Sequence, residues 1–166
     1  FPEITYGISF GANYKGFDFS TVWSGVADVN ASIAGSRLAQ PFGDYGSSPI
    51  SAQLNHWTPG NPNADFPRLS FNSSYNYVQS SFWVKNTSYL KLRNAQIGFT
   101  LPARLLRSAN ISRVRIYVSG ENLLTLSPFK IMDPESLTNG DPFFGYGGTG
   151  AYPTTKKYLA GISVTF

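Results

Sequence analysis

The sequence predicts an all-β fold made of antiparallel strands of a transmembrane β-barrel, and three observations support this prediction. Apolar residues occupy alternate positions of segment 156–166, from Tyr158 to Phe166, and Gly161, Ser163 and Thr165 lie between the last four of them. Successive side chains of a strand point to opposite faces, so this segment has one apolar and one polar face. Charged residues make up only 13% of the chain, against about 25% in a typical soluble domain. Short connections alternate with long ones, as they do in outer-membrane barrels.

The last segment also has the length and the ends of a membrane-crossing strand. About ten residues, tilted by roughly 45°, cross the hydrocarbon layer of a bilayer. The apolar run begins and ends with an aromatic residue, Tyr158 and Phe166, which is typical of the aromatic girdles of outer-membrane barrels. Phe166 is also predicted to be the signal that barrels present to their assembly machinery. Taken alone, this strand fits a half-buried strand of a soluble β-sandwich equally well.

Composition excludes several other classes of protein. No apolar run in the 166 residues approaches the 18 residues of a transmembrane helix. The chain has no Cys, which excludes a disulfide scaffold and a thiolate metal site. The net charge is +4, but the basic residues are dispersed, and no nucleic-acid-binding stripe is predicted. The chain starts at Phe1, without Met or a signal peptide, so we expect it to be part of a longer, exported protein.

Alternation predicts five strands separated by two short and two long connections. The strands are expected at 3–13, 17–26, 81–101, 111–126 and 156–166. A short turn at Tyr14, Lys15 and Gly16 joins the first two strands into a hairpin. The long connections, 27–80 and 127–155, are rich in Gly, Pro, Asn and Ser. Because barrels combine short periplasmic turns with long outer loops, both long connections are expected on the extracellular side.

The third and fourth strands carry two further signals. Leu90 and Leu92 occupy even positions, whereas Ile97 and Phe99 occupy odd ones, so a bulge is expected near Asn94. In the fourth strand the charged residues alternate with apolar ones, and we expect the charges on the inner, hydrated face. A cationic residue on the lipid face would cost about 2–4 kcal/mol at mid-depth. The aromatic residues expected to face lipid or the headgroup girdle are Phe10, Phe17, Trp23, Phe99 and Tyr158.

Several segments, in order along the whole chain, resemble the C-terminal portion of SusC-like (SusC/RagA-type) TonB-dependent outer-membrane transporters. Among them are Tyr14-Lys15-Gly16-Phe17-Asp18, Trp57-Thr58-Pro59, Phe66-Pro67-Arg68, Gly98-Phe99-Thr100-Leu101-Pro102, Ser119-Gly120-Glu121-Asn122-Leu123 and Asp133-Pro134-Glu135. Each motif is weak alone, and their common order makes the resemblance specific.

The resemblance implies both a fold and a function. The chain would supply the last five strands of a barrel of about 22 strands whose lumen holds a plug domain, and the plug is absent from these residues. Such transporters lie in the outer membrane of Gram-negative, Bacteroidota-type cells as multi-pass proteins, and they import glycans or peptides. The implied partners are a SusD-like lipoprotein lid, the TonB system through the missing N-terminal part, membrane lipid and the barrel-assembly machinery. Whether the complex forms a homodimer stays open, as does whether the chain is a fragment or a separate barrel-completing piece.

No catalytic, cofactor or metal site is predicted, and the chain is not expected to be an enzyme. The single histidine, His56, has no second His and no Cys to complete a metal site or a catalytic pair, and no Gly-x-Ser-x-Gly motif occurs. Asp133, Glu135 and Asp141 could bind calcium, but turn formation beside proline is the preferred interpretation. The outer-loop aromatics that could contact ligand or lid, or pack the loops together, are Trp57, Phe143, Phe144 and Tyr146.

The leading hypothesis is therefore a transporter segment that performs no bond chemistry. The alternative is a secreted, soluble β-sandwich that binds carbohydrate, which would also explain alternating strands and aromatic loops. A passive porin-like channel would share the strands but not the SusC-like motifs. A requirement for detergent would separate the membrane hypotheses from the soluble one.

Overall fold

The computed structural model describes residues 3–34, 42, 49–71, 75–106, 111–138 and 154–166, which fall into two units. The sheet unit consists of Glu3–Ala27, Tyr89–Ser127 and Thr154–Phe166. The loop unit consists of the described residues of Asp28–Ser88 and Pro128–Pro153. No helix in this described part of the chain has the length and hydrophobicity needed to cross a membrane.

The sheet unit is a single antiparallel sheet of five strands. The strands of the whole chain are β1 Ile4–Tyr14, β2 Phe17–Ala27, β3 Asn30–Ser32, β4 Val84–Asn86, β5 Tyr89–Thr100, β6 Arg113–Leu126 and β7 Lys157–Thr165. The order in the large sheet is β1-β2-β5-β6-β7, and each pair is antiparallel. The predicted all-β class with five antiparallel strands is therefore confirmed.

The β1–β2 hairpin closes where the sequence predicted a short turn, but the turn has two residues because Tyr14 belongs to β1. Tyr14 pairs with Phe17, and the two residues between them, Lys15 and Gly16, have φ angles of 47° and 90°. Positive φ at both central residues is the signature of a type I′ turn, whose twist matches that of the flanking strands. Thr100 of β5 donates its backbone N–H to Gly16 O at 2.8 Å, which ties the turn to the strand that neighbours β2 in the large sheet.

β5 contains the bulge that the change in alternation predicted. Val22 pairs with Asn94, but the next residue of β2, Trp23, pairs with Leu92, which leaves Arg93 as an extra residue. A bulge of this kind resets the alternation of the strand. The apolar residues before and after Arg93 consequently point to the same side of the sheet.

The third predicted strand, 81–101, begins too early, because β5 starts only at Tyr89. Ser81–Trp83 forms a 3-10 turn, and β4 pairs with β3 in a separate two-stranded sheet. Two contacts explain the interruption: Thr87 N donates to Val29 O at 2.9 Å, and Asn86 Oδ1 accepts from Ser88 N at 2.9 Å. The first bond engages the Thr87 N–H with a distant backbone carbonyl, and the second is a local side-chain bond to the backbone, of the kind that competes with a continuing ladder.

The loop unit has its own small core, which the absence of a strand pattern in 27–80 did not predict. Ile33, Phe66, Trp83 and Phe129 are buried against one another, and Trp83 is only 1% exposed. Residues from both long connections, 27–80 and 127–155, thus pack together.

The second connection also contains a short helix, α1 Pro134–Thr138, where Asp133 Oδ1 accepts from Glu135 N at 3.0 Å. Asp133 therefore forms a turn at this helix start.

Candidate functional site: the two faces of the sheet

One face of the five-stranded sheet is continuously apolar. Residues paired across strands point to the same face, and the register aligns Phe19, Ile97, Val118 and Ala160 in one row. The neighbouring rows have the same character. The larger members of this apolar face are Ile4, Tyr6, Ile8, Phe10, Tyr14, Phe17, Phe19, Trp23, Leu90, Leu92, Ile97, Phe99, Val114, Ile116, Val118, Leu124, Leu126, Tyr158, Ile162 and Val164.

The apolar face is exposed in this structure. Val118, at the centre of the sheet, is 51% exposed, Phe10 is 58% exposed and Ile162 is 68% exposed. Soluble monomers rarely expose a contiguous apolar patch of this extent, and such patches mark membrane or protein contacts. All five aromatic residues that the sequence assigned to lipid or the girdle belong to this face. Phe17 and Phe99 pack at the hairpin end, with ring centroids 4.6 Å apart.

A tyrosine and a glycine form a close contact within the apolar face. Tyr6 pairs with Gly25, and its hydroxyl donates to Tyr89 O on the far side of β2 at 3.1 Å. A Cβ on Gly25 would lie 2.6 Å from Tyr6 Oη and would also collide with Tyr89 O. An aromatic ring that covers a strand glycine in this way helps to hold the register. Alternation within one strand does not reveal this pair, because the pair depends on which residues of two strands face each other.

The opposite face carries a polar cluster around Arg115. Its guanidinium donates through Nε to Asp18 Oδ1 at 2.9 Å and through Nη2 to Asp18 Oδ2, which makes a bidentate ion pair. Gln96 lies beside the same guanidinium. With the oxygen and nitrogen of its amide assigned from the hydrogen-bond network, the Gln96 oxygen accepts from Arg115 Nη1 at 3.1 Å. The guanidinium carbon lies 4.9 Å from the centroid of the Tyr117 ring, within cation–π range.

Two glycines provide the space for this cluster. Gly98 lies between Asp18 and Tyr117 in the register, and a Cβ on it would be 2.6 Å from both Arg115 Nη2 and Asp18 Oδ1. A Cβ on Gly161 would lie 2.5 Å from Tyr117 Cζ. The long side chains of β6 thus lie across glycines of the neighbouring strands. Sequence alternation predicted that Arg115 faces the polar side, and the register was needed to find its partners.

Other charged groups of the polar face are also paired. Lys91 is buried, and its Nζ donates to Thr154 Oγ1 at 3.1 Å. Arg93, the bulge residue, donates from Nε to Ser24 Oγ at 2.6 Å. Lys157 and Glu121 form an ion pair at 3.6 Å between β7 and β6. These contacts suit a hydrated interior better than a surface immersed in hydrocarbon.

Of the loop aromatics named from the sequence, the structure describes only Trp57. Its ring is 40% exposed, and its backbone N–H donates to Phe66 O at 2.8 Å. Two hydrogen bonds stabilise the conformation of this loop. Asn55 Nδ2 donates to Asp65 Oδ2 at 2.7 Å, and Asn61 N donates to Thr58 O at 2.9 Å. Trp57 is thus partly exposed on a loop that internal hydrogen bonds stabilise. The other three aromatics, Phe143, Phe144 and Tyr146, lie outside the described residues.

Two further sequence predictions concern single residues. Phe166 follows β7 and is 86% exposed; its role as an assembly signal stays a prediction. His56 is half-buried, and its Nδ1 lies 2.9 Å from Gln53 O, an arrangement in which the ring donates to the carbonyl. Within the described residues no group of three or more His, Cys, Asp or Glu side chains is arranged to hold a metal ion. Asp141, the third acidic residue considered for calcium, is not among them.

Comparison with known proteins identifies the class to which this fold belongs. No protein-family model matches the chain. The chain is 29% identical over 173 residues to the TonB-dependent receptor P3 of Formosa agariphila, an alignment that covers 99% of the chain and 16% of the receptor. It is 22% identical to the TonB-dependent receptor SusC of Bacteroides thetaiotaomicron, with 99% and 15% covered.

The structural comparison agrees with these relatives. The RagAB peptide importer in its open-open state matches 100% of the chain and 17% of the importer chain, with a TM-score of 0.70 and 28% identity. The closed-closed state of the same importer gives the same TM-score. The fold is therefore that of a section of a large TonB-dependent β-barrel. The resemblance to SusC-like transporters is confirmed along the whole chain, which spans about one-sixth of the length of the relatives it matches.

Proposed function

We propose that the chain forms part of an outer-membrane, TonB-dependent importer of glycans or peptides that works with a SusD-like surface lipoprotein. In this proposal the apolar face contacts lipid and the polar face borders the hydrated interior of the barrel. The long connections that make up the loop unit lie on the extracellular side, and the hairpin turn at Lys15 and Gly16 lies on the periplasmic side.

The observation that carries the proposal is the division of the sheet into two faces. Each unpaired cationic residue on a lipid-facing surface costs up to about 2–4 kcal/mol at the bilayer midplane. The apolar face holds no charged side chain among its strand residues, whereas Asp18, Arg115 and Lys91 all lie on the polar face. This segregation matches a sheet with hydrocarbon on one side and water on the other.

The soluble β-sandwich explains the exposed face less well. A sandwich buries the apolar face of each sheet against a second sheet. Here the apolar face of the five-stranded sheet is exposed, with Val118 and Ile116 at its centre 51% and 47% exposed. The importer proposal explains this exposure directly, because the face would be covered by lipid.

Adjacent residues on opposite faces give a direct test of the orientation. The chain contains no Cys, so single cysteines at Ile162 and Ser163 can carry a spin label in the intact protein, after any cysteine outside this chain has been replaced. In a reconstituted bilayer, Ile162→Cys should be accessible to dissolved oxygen and protected from a water-soluble nickel chelate. Ser163→Cys should show the opposite preference. Equal accessibility of both labels to the chelate would contradict the proposed orientation.

Import and the lipoprotein partner require separate measurements. Uptake of a labelled peptide or glycan mixture by intact cells should stop when the tonB gene is deleted and should return when it is restored. The purified transporter should retain a partner whose N-terminal cysteine carries lipid, as shown by intact-mass measurement. Uptake that is independent of TonB would favour the passive porin-like channel instead.

A further inference from the structure

A pocket in the loop unit lies beside its buried core. Its volume is about 430 Å³, within the range of roughly 300–1,000 Å³ typical of small-ligand sites. Phe66 and Phe129 contribute to its floor and Ile131 to its wall, while Asp65, Lys85 and Lys130 supply charged groups. Both phenylalanines are only 6% exposed, so the floor is held in place by the core.

The ladder of the small sheet holds the backbone of Lys85, and the core residues on either side hold the backbone of Lys130. Lys85 pairs with Ala31 in the β3–β4 ladder, and its ammonium lies 4.6 Å from the centroid of the Phe82 ring. Lys130 lies between Phe129 and Ile131, both of which pack in the core cluster. A cation–π contact leaves ammonium N–H groups free to donate to a ligand.

The charge of the pocket is unbalanced. Asp65 is the acidic member of the lining, and its Oδ2 already accepts from Asn55 at 2.7 Å. Among the described residues, neither Lys85 nor Lys130 has a carboxylate within ion-pair distance. A lining that combines two phenylalanine rings with two ammonium groups is complementary to a ligand that joins an apolar side chain to a carboxylate.

We propose that this pocket binds the C-terminal residue of a peptide, with its apolar side chain on the Phe66 and Phe129 floor and its carboxylate between Lys85 and Lys130. A sugar with a carboxylate would match the charges, but it has no apolar side chain to bury against Phe66 and Phe129. The inference rests on the proposed import function and specifies a peptide as a substrate class, and its binding step can be measured without transport.

The test uses the full-length protein purified in detergent and titrated by calorimetry with N-acetyl-alanyl-alanyl-leucine. The same peptide with a C-terminal amide is the ligand control, and an oligogalacturonate is the carbohydrate control. We expect the free acid to bind at least about tenfold more tightly than the amide, since charge-assisted hydrogen bonds are the strong ones. Equal binding of acid and amide, or binding of the oligogalacturonate in place of the peptide, would overturn the inference.

Variants locate the site. Lys85→Gln combined with Lys130→Gln should weaken binding of the acid about tenfold or more and leave the weak binding of the amide unchanged. Lys156→Gln, which removes the same charge from an exposed position of the sheet unit, should leave binding of the acid unchanged. Asp65→Asn keeps the side-chain shape and removes a like charge, so it should tighten binding of the acid. If the double lysine variant bound the free acid as tightly as the parent protein, the proposed site would be wrong.

Uptake separates this inference from the function on which it rests. If the peptide binds as expected but TonB-dependent uptake does not occur, the importer proposal fails and the binding site stands. If uptake of the peptide continues at the parental rate and affinity in the double lysine variant, the site is wrong and the importer proposal stands.

Discussion

Replacing Val118 by Arg tests the most consequential feature of the structure, the apolar face of the sheet. Val118 lies near the middle of β6 and pairs with Ile97 on one side and Ala160 on the other. No acidic side chain of the apolar face lies beside it in the register. An arginine here would therefore enter the hydrocarbon without a counter-ion.

The expected cost follows from the depth of the position. Arginine on the lipid face of a barrel costs about 2–4 kcal/mol at the bilayer midplane and falls to about 0–1 kcal/mol near the interfaces. Since about 1.4 kcal/mol corresponds to a tenfold change in an equilibrium constant, Val118→Arg should reduce the ratio of folded to unfolded protein roughly thirty- to seven-hundred-fold.

The matched control is Ser119→Arg, one residue further along β6 and on the polar face. Both variants would be refolded into lipid vesicles of one composition, and the folded fraction would be followed against denaturant by the heat-modifiable band on electrophoresis. Val118→Arg should shift the midpoint strongly, and Ser119→Arg should shift it little because its charge stays hydrated. Equal shifts for both variants would refute the assignment of the faces to lipid and water.

Three further predictions concern packing and pairing. Gly25→Ala should destabilise the sheet by about 1–3 kcal/mol, as overpacking does, because its Cβ would collide with a neighbouring carbonyl; an unchanged denaturation midpoint would contradict this. Trp83→Ala should destabilise the loop unit by about 3–5 kcal/mol through loss of a buried ring, measured as faster amide exchange in that unit, whereas Phe82→Ala, at a more exposed ring, should do little. Asp18→Asn and Arg115→Gln should each lower the heat stability of the folded band, and the double variant should be no worse than the worse single one; strictly additive losses would mean that the two side chains act independently.

Local alternation was sufficient to predict the five strands of the large sheet and their faces, apart from the start of β5. A strand has a period of two, so the apolar set of β6, with Val118 at its centre, could be assigned to one face without knowing its neighbours. The same reasoning located the bulge, because a change of parity between Leu92 and Ile97 requires one extra residue. The two-residue turn at Lys15 and Gly16 was equally local, since glycine readily adopts positive φ.

The start of β5 shows where local reasoning fails. Residues 81–86 have strand-like composition, yet Trp83 is buried in the loop unit and β4 pairs with β3. Thr87 lies between β4 and β5, and its hydrogen-bond partner, Val29, is 58 residues away in sequence. No pattern within the segment itself could distinguish a short strand of a second sheet from the beginning of β5.

The sequence by itself determined the class of this protein, because alternation, low charge content and ordered motifs are properties of neighbouring residues. The tertiary structure alone decided which residues meet. It paired Asp18 with Arg115 across 97 positions, placed Gly98 beneath them, and joined two long connections in one core beside a pocket with two lysines. These contacts depend on strand register and loop closure, which couple distant parts of the chain and leave no periodic trace in the sequence.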